Sequence, residues 1–140
     1  MRIKMNINDL YFSKTLTGSI SDVRPRVEAE LKEVGFGVLT EIDMKAKLAE
    51  KIGVDIKPYT LLGVCNPKFA NEAIKAEENI GIFLPCKVIL KEVESNKTEI
   101  LVLNPEAPMK LLNNARLNQL ADEVTRLLKD AVSKIKDVEN

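Results

Sequence analysis

The residues of this chain best suited to chemistry are its two cysteines, Cys65 and Cys86. Each stands at a joint. Cys65 directly precedes Asn66-Pro67, a pair that starts helices: asparagine caps free N–H groups, and proline arrives with φ already set. Cys86 follows Pro85 at the mouth of an apolar strand. A thiolate at Cys65 would face the positive end of the helix dipole with Lys68 in the same turn, and both favour the anion. The opposite reading is equally physical, since a cysteine after an apolar run is often a small, inert, buried side chain. If their strands are neighbours, the two sulfurs can form a reversible disulfide or hold a soft ion such as Cu(I). Their spacing matches neither a zinc ribbon nor a CxxC redox pair. Tyr59 can lend a hydroxyl and Asn66 an amide to a pocket, although packing serves Tyr59 and capping serves Asn66 without any ligand. The candidate ligand-binding set is therefore Tyr59, Cys65, Asn66, Pro85 and Cys86. In a catalytic reading, Cys65 is the nucleophile and Cys86 resolves.

The exclusions are sharper. No histidine occurs in the 140 residues, which removes Ser-His-Asp and Cys-His catalysis, histidine zinc sites and axial-histidine haem. No glycine-rich phosphate loop is present either, so no cofactor and no resident metal are expected. Lys+Arg and Asp+Glu both total 21, and a chain without basic excess is not expected to read nucleic acid. The opening residues are too polar for a signal peptide, and no apolar run spans a bilayer. The expectation is a cytoplasmic protein without membrane contact.

The elements that must position the cysteines follow from periodicity. Leu10–Leu16 alternates as a first strand after a polar lead-in over 1–9. Asp22 caps a helix to about Val34, with Pro25 in its first turn and Val23, Val27, Leu31 and Val34 on one face. Gly35 closes it. Phe36 to Ile42 alternates as a strand, and Asp43 and Gly53 bracket a short helix. Tyr59–Cys65 is an apolar strand and Pro67 onward a helix. Gly81–Leu84 reads as a short strand broken by Pro85. Cys86–Leu90 and Glu99–Leu103 pair across a Ser95-Asn96 turn. Asn104-Pro105 repeats the helix-start device, and a long last helix carries Leu117, Leu120, Ala121, Val124 and Leu128. Residues 138–140 are expected to fray. The pattern is α+β, in one domain over 1–140 with its core at about 10–136.

The same stretch resembles the signature of the DUF302 family of small uncharacterised domains. The likeness rests on Tyr59-x-x-Leu62-Gly63-x-Cys65-Asn66-Pro67, then Ala70, Ala73 and Ile80-Gly81-x-x-Leu84-Pro85-Cys86-x-Val88. Gly35-Phe36-Gly37-Val38 and Asn104-Pro105 also fit. The resemblance implies a TBP-like α+β fold, an antiparallel sheet backed by helices with a long C-terminal helix, and homodimers. Where the family often reads Leu-Pro-Cys-Asn, this chain carries Lys87. Three functions stay open: a non-enzymatic small-ligand binding or sensing module, a thiol-dependent redox protein or enzyme, and a motif that only specifies packing.

Overall fold

In the computed structural model, which describes residues 5–137, the apolar alternations become six strands. These are β1 (Met5–Ile7), β2 (Tyr11–Thr17), β3 (Gly37–Asp43), β4 (Tyr59–Cys65), β5 (Cys86–Glu94) and β6 (Lys97–Leu103). The helices are α1 (Ile20–Glu33), α2 (Met44–Ile52), α3 (Pro67–Ala76), the short α4 (Glu106–Met109) and the closing α5 (Ala115–Lys134). The strands form one sheet in the order β1-β2-β6-β5-β4-β3, each neighbour antiparallel. This is the expected α+β class, an antiparallel sheet backed by helices with a long helix at the end. The expected fraying of 138–140 lies outside the described residues.

Strand alternation sorts the sheet into two faces. Phe12, Leu62, Val88, Leu90, Ile100 and Val102 are buried beneath Val23, Val27 and Leu31 of α1 and Val124, Leu128 and Val132 of α5. On the other face stand Leu61, Ile89 and Leu101, side by side across β4, β5 and β6. A second, smaller cluster joins Ala73 of α3, Ile80, Met109 and the α5 residues Leu117, Leu120 and Ala121.

Several local expectations need correction. Helix α1 begins a turn earlier than Asp22: Ser19 is its cap, accepting from Asp22 N at 3.2 Å, and Pro25 falls inside the helix. The extra turn brings Ile20 onto the core, a contact that a start at Asp22 would forfeit. Strand β3 does not alternate cleanly, because a bulge lies between Val38 and Thr40. Val38 packs on the core, whereas Leu39 is 63% exposed. Gly81–Leu84 is not a strand; Glu78–Phe83 forms a 3-10 helix in which only Ile80 is buried. Finally, part of the polar lead-in is β1, paired with β2 from Met5↔Lys14 to Ile7↔Phe12.

The start signal at Asn104-Pro105 opens only the short α4, and the long helix begins afresh after Asn114. Several other signals act as read. Helix α1 closes with Gly35 at φ +88°, Gly35 N donating to Lys32 O and Phe36 N to Leu31 O. These two bonds satisfy carbonyls that the helix end would otherwise leave free. Asp43 caps α2 and Gly53 ends it at φ 67°. A buried charge went unmarked in the sequence: Lys14, on the helix-facing side of β2. Its Nζ donates to Val132 O (3.3 Å), Ser133 O (3.0 Å) and Ile135 O (2.6 Å), so an ammonium gathers carbonyls at the end of α5, where Val132 O also accepts from Ile135 N.

Candidate functional site

Cys65 ends β4 and Cys86 begins β5, and these strands are adjacent. The register pairs Val64 with Cys86, so Cys65 lies one residue beyond the paired segment of β5. Both thiols are free and partly buried. They share the wall of one cavity of about 60 Å³, enclosed by Phe69, Ala70 and Ala73 of α3, Met109 of α4, and Leu117, Leu120 and Val124 of α5. Phe36 and Leu84 close its sheet end. Among the described residues, no acidic, basic or tyrosine side chain lines it.

That apolar wall decides the state of the sulfurs. Burial pushes the Cys65 thiol up from its usual range. Burial, and then the nearness of Cys65, push the Cys86 thiol up to about 11. Burial thus acts against the thiolate that the α3 dipole would favour, and the first-turn N–H of Phe69 is already taken by Asn66.

Asn66 lines the cavity but is engaged on both sides of its amide. Its Oδ1 accepts from Phe69 N at 3.4 Å, capping α3, and its Nδ2 donates to Val34 O at 3.3 Å. The amide thus ties the start of α3 to the end of α1. Pro85 follows a cis Leu84–Pro85 bond and its ring packs at Gly63, which places Cys86 at the cavity wall. Tyr59 is not brought to this group. It sits at the opposite end of β4, paired with Lys91, about 20 Å of strand away from Cys65. Lys87 lies across the sheet from Cys86 by strand alternation, lining a depression with Leu10, Tyr11 and Ile89. A different side chain there does not touch the cavity.

Sequence patterning found the two sulfurs and Asn66. It missed Met109 of α4 and Leu117 and Leu120 of α5 as cavity walls, because apolar positions on a helix read the same whether they fill a core or border a void. Among the described residues, no three His, Cys, Asp or Glu side chains gather as a metal site.

The fold and the site together define a small α+β domain marked by paired thiols at adjoining strand ends. Residues 12–135 match the model of the family described as Domain of unknown function DUF302, and the chain belongs to that family. The crystal structure of the uncharacterized conserved protein DUF302 from Bacillus stearothermophilus is similar at TM-score 0.82 and 28% identity, over 90% of this chain and 98% of that one. The chain is also 29% identical over 87 residues to the Fluoride-specific ion channel FluC 1 of Brucella suis, covering 62% of this chain and 34% of that protein. The same identity over 87 residues is found with FluC 1 of Brucella abortus, at 32% of its length. The chain thus spans about a third of the curated relatives it matches. No helix among its described residues is long and apolar enough to cross a membrane.

Proposed function

We propose that this domain is a non-enzymatic module that binds or senses a small ligand at the cavity between Cys65 and Cys86. The observation that carries this reading is the composition of the wall: two partly buried thiols, one engaged amide and otherwise apolar side chains. Such a wall offers no group to move a proton in a reaction, but it suits a small, polarizable, apolar guest. At about 60 Å³ the space is smaller than the ~150 Å³ cavity that admits benzene, so the guest is a compact one. Xenon serves as the probe. Pressurising labelled protein with xenon is expected to shift the amide signals of Phe69, Ala73, Leu120 and Val124, and Ala73→Leu, which fills the space, removes the response. Native mass spectrometry of the purified protein checks for a retained molecule. No xenon response and no retained mass would defeat the reading.

A second reading is favoured by the shared wall itself. The two thiols would be oxidised to a disulfide, giving two electrons and two protons to a thiol–disulfide partner such as glutathione disulfide. Mass spectrometry across glutathione buffers decides it, since a two-hydrogen loss must track the buffer potential. Failure to oxidise in the most oxidising buffer excludes the redox role and leaves the binding role standing.

The module works as a cytoplasmic homodimer in this reading. Support comes from the sheet face opposite the helices, where Ile42, Leu61, Ile89 and Leu101 form an apolar row across four strands. Sedimentation is expected to give a dimer, and Ile89→Lys a monomer.

A further inference from the structure

Strand β3 is the sheet's last strand and pairs only with β4. The N–H and C=O groups on its far side therefore have no strand partner among the described residues. Alongside that edge runs a groove of about 520 Å³ between β3 and the flank of α1. Leu31, Phe36 and Cys65 contribute to its walls, with Glu28 and Lys32 on the helix side. The two charges are not equivalent. Glu28 is held by Arg24 at 2.9 Å, whereas Lys32 enters no ion pair among the described residues. Along the strand side, Gly37 leaves the backbone open: a Cβ added there meets nothing within 4 Å. Leu39, at the bulge, is 63% exposed at the rim.

We propose that this groove binds an extended peptide, which adds as a short strand outside β3. Backbone bonds to the edge strand hold the peptide, as strand addition does generally. An apolar side chain drops between Leu31 and Phe36, and an acidic side chain meets Lys32. The bulge between Val38 and Thr40 ends the flat edge soon after β3 starts at Gly37, so the added strand is short and the binding weak. A second copy of this chain is the rival occupant. The groove is distinct from the cavity, although Cys65 borders both.

The test uses the full chain and a randomised heptapeptide phage library. Selection is expected to enrich peptides that combine β-branched or aromatic residues with Asp or Glu. The synthetic winner should shift the amide signals of Lys32 and Gly35–Leu39 saturably. Gly37→Trp, which occupies open space without disturbing the fold, should weaken binding at least tenfold. Lys32→Glu should turn the preference toward basic peptides, and methylating alternate peptide amides should abolish binding. The proposal is overturned by any of three results: no enrichment, binding unchanged in Gly37→Trp, or signals of Gly35–Leu39 that depend on protein concentration without peptide. The last would give the groove to a second copy.

Discussion

Gly63 of β4 lies under the ring of Pro85: a Cβ built on Gly63 would stand 2.6 Å from Pro85 Cγ and would also fall on Thr40 Oγ1. The glycine is therefore what lets the Leu84–Cys86 segment settle on β4 and deliver Cys86 to the cavity. Gly63→Ala is expected to destabilise the fold by about 1–3 kcal/mol, the cost of forcing an extra carbon into a packed interior. Urea unfolding measures it. Thr40→Ala in the same chain should recover only part of the loss, because the proline ring remains.

Asn66 is expected to behave as a structural tie. Asn66→Ala removes the cap of α3 and the bond to Val34 O, and should cost about 1–2 kcal/mol in urea unfolding. Asn66→Asp keeps the cap but loses the donor, so its cost should fall between Ala and wild type. An unchanged stability in Asn66→Ala would show that the amide is held there for something other than the fold.

The thiols should be sluggish. Iodoacetamide labelling followed site by site by mass spectrometry is expected to find Cys65 slower than a free thiol at pH 7–8. Cys86 should reach half-maximal reactivity only near its value of about 11. The linkage has a sign. A thiol whose pKa is raised by folding leaves stability intact below the unfolded value of about 8.5, and stability is lost as pH rises from there through about 11. Cys86→Ala should flatten that alkaline decline.

Lys14→Met should be among the costly substitutions outside the apolar core. It retains the stem but leaves the carbonyls of Val132, Ser133 and Ile135 without the ammonium that gathers them. A loss of about 2–3 kcal/mol is expected, with hydrogen exchange accelerating first in the last turn of α5.

At Glu106 the carboxyl is raised by a shared hydrogen bond with Asp122, then by burial and by that neighbour's charge. A raised carboxyl loses stability as pH climbs from its unfolded value of about 4.3 through its raised folded value. Asp122→Asn should therefore raise the melting temperature at pH 7 slightly, by the equivalent of less than ~1 kcal/mol. The gain should vanish below pH 4.

What the sequence discloses depends on how local the cause is. Tyr59–Cys65 and the start of α3 are written in adjacent residues, and both appear where expected because capping and strand alternation act within a few positions. Asn114 also caps its helix, accepting from Leu117 N, yet no proline beside it advertised the start. Lys14 looked like any polar strand residue; only the arrival of the α5 terminus gives it partners. The cysteines were visible as a pair from the outset. Their burial was not, since Phe69, Leu120 and Val124 arrive from α3 and α5. Burial made by distant elements leaves no spacing rule behind.

The strand order has a consequence for how the molecule is born. Strands β3, β4 and β5 are successive neighbours and can zip together as they leave the ribosome. Strand β2, made earlier, must wait for β6, with Phe12 lying opposite Val102. Until then β2 has only the three residues of β1 beside it, and α1 has only part of its floor. The seam between β2 and β6 closes late and across most of the chain, a loop whose ordering entropy slows the final step. A nascent chain held short of Leu103 should therefore recruit chaperones that release it once β6 emerges.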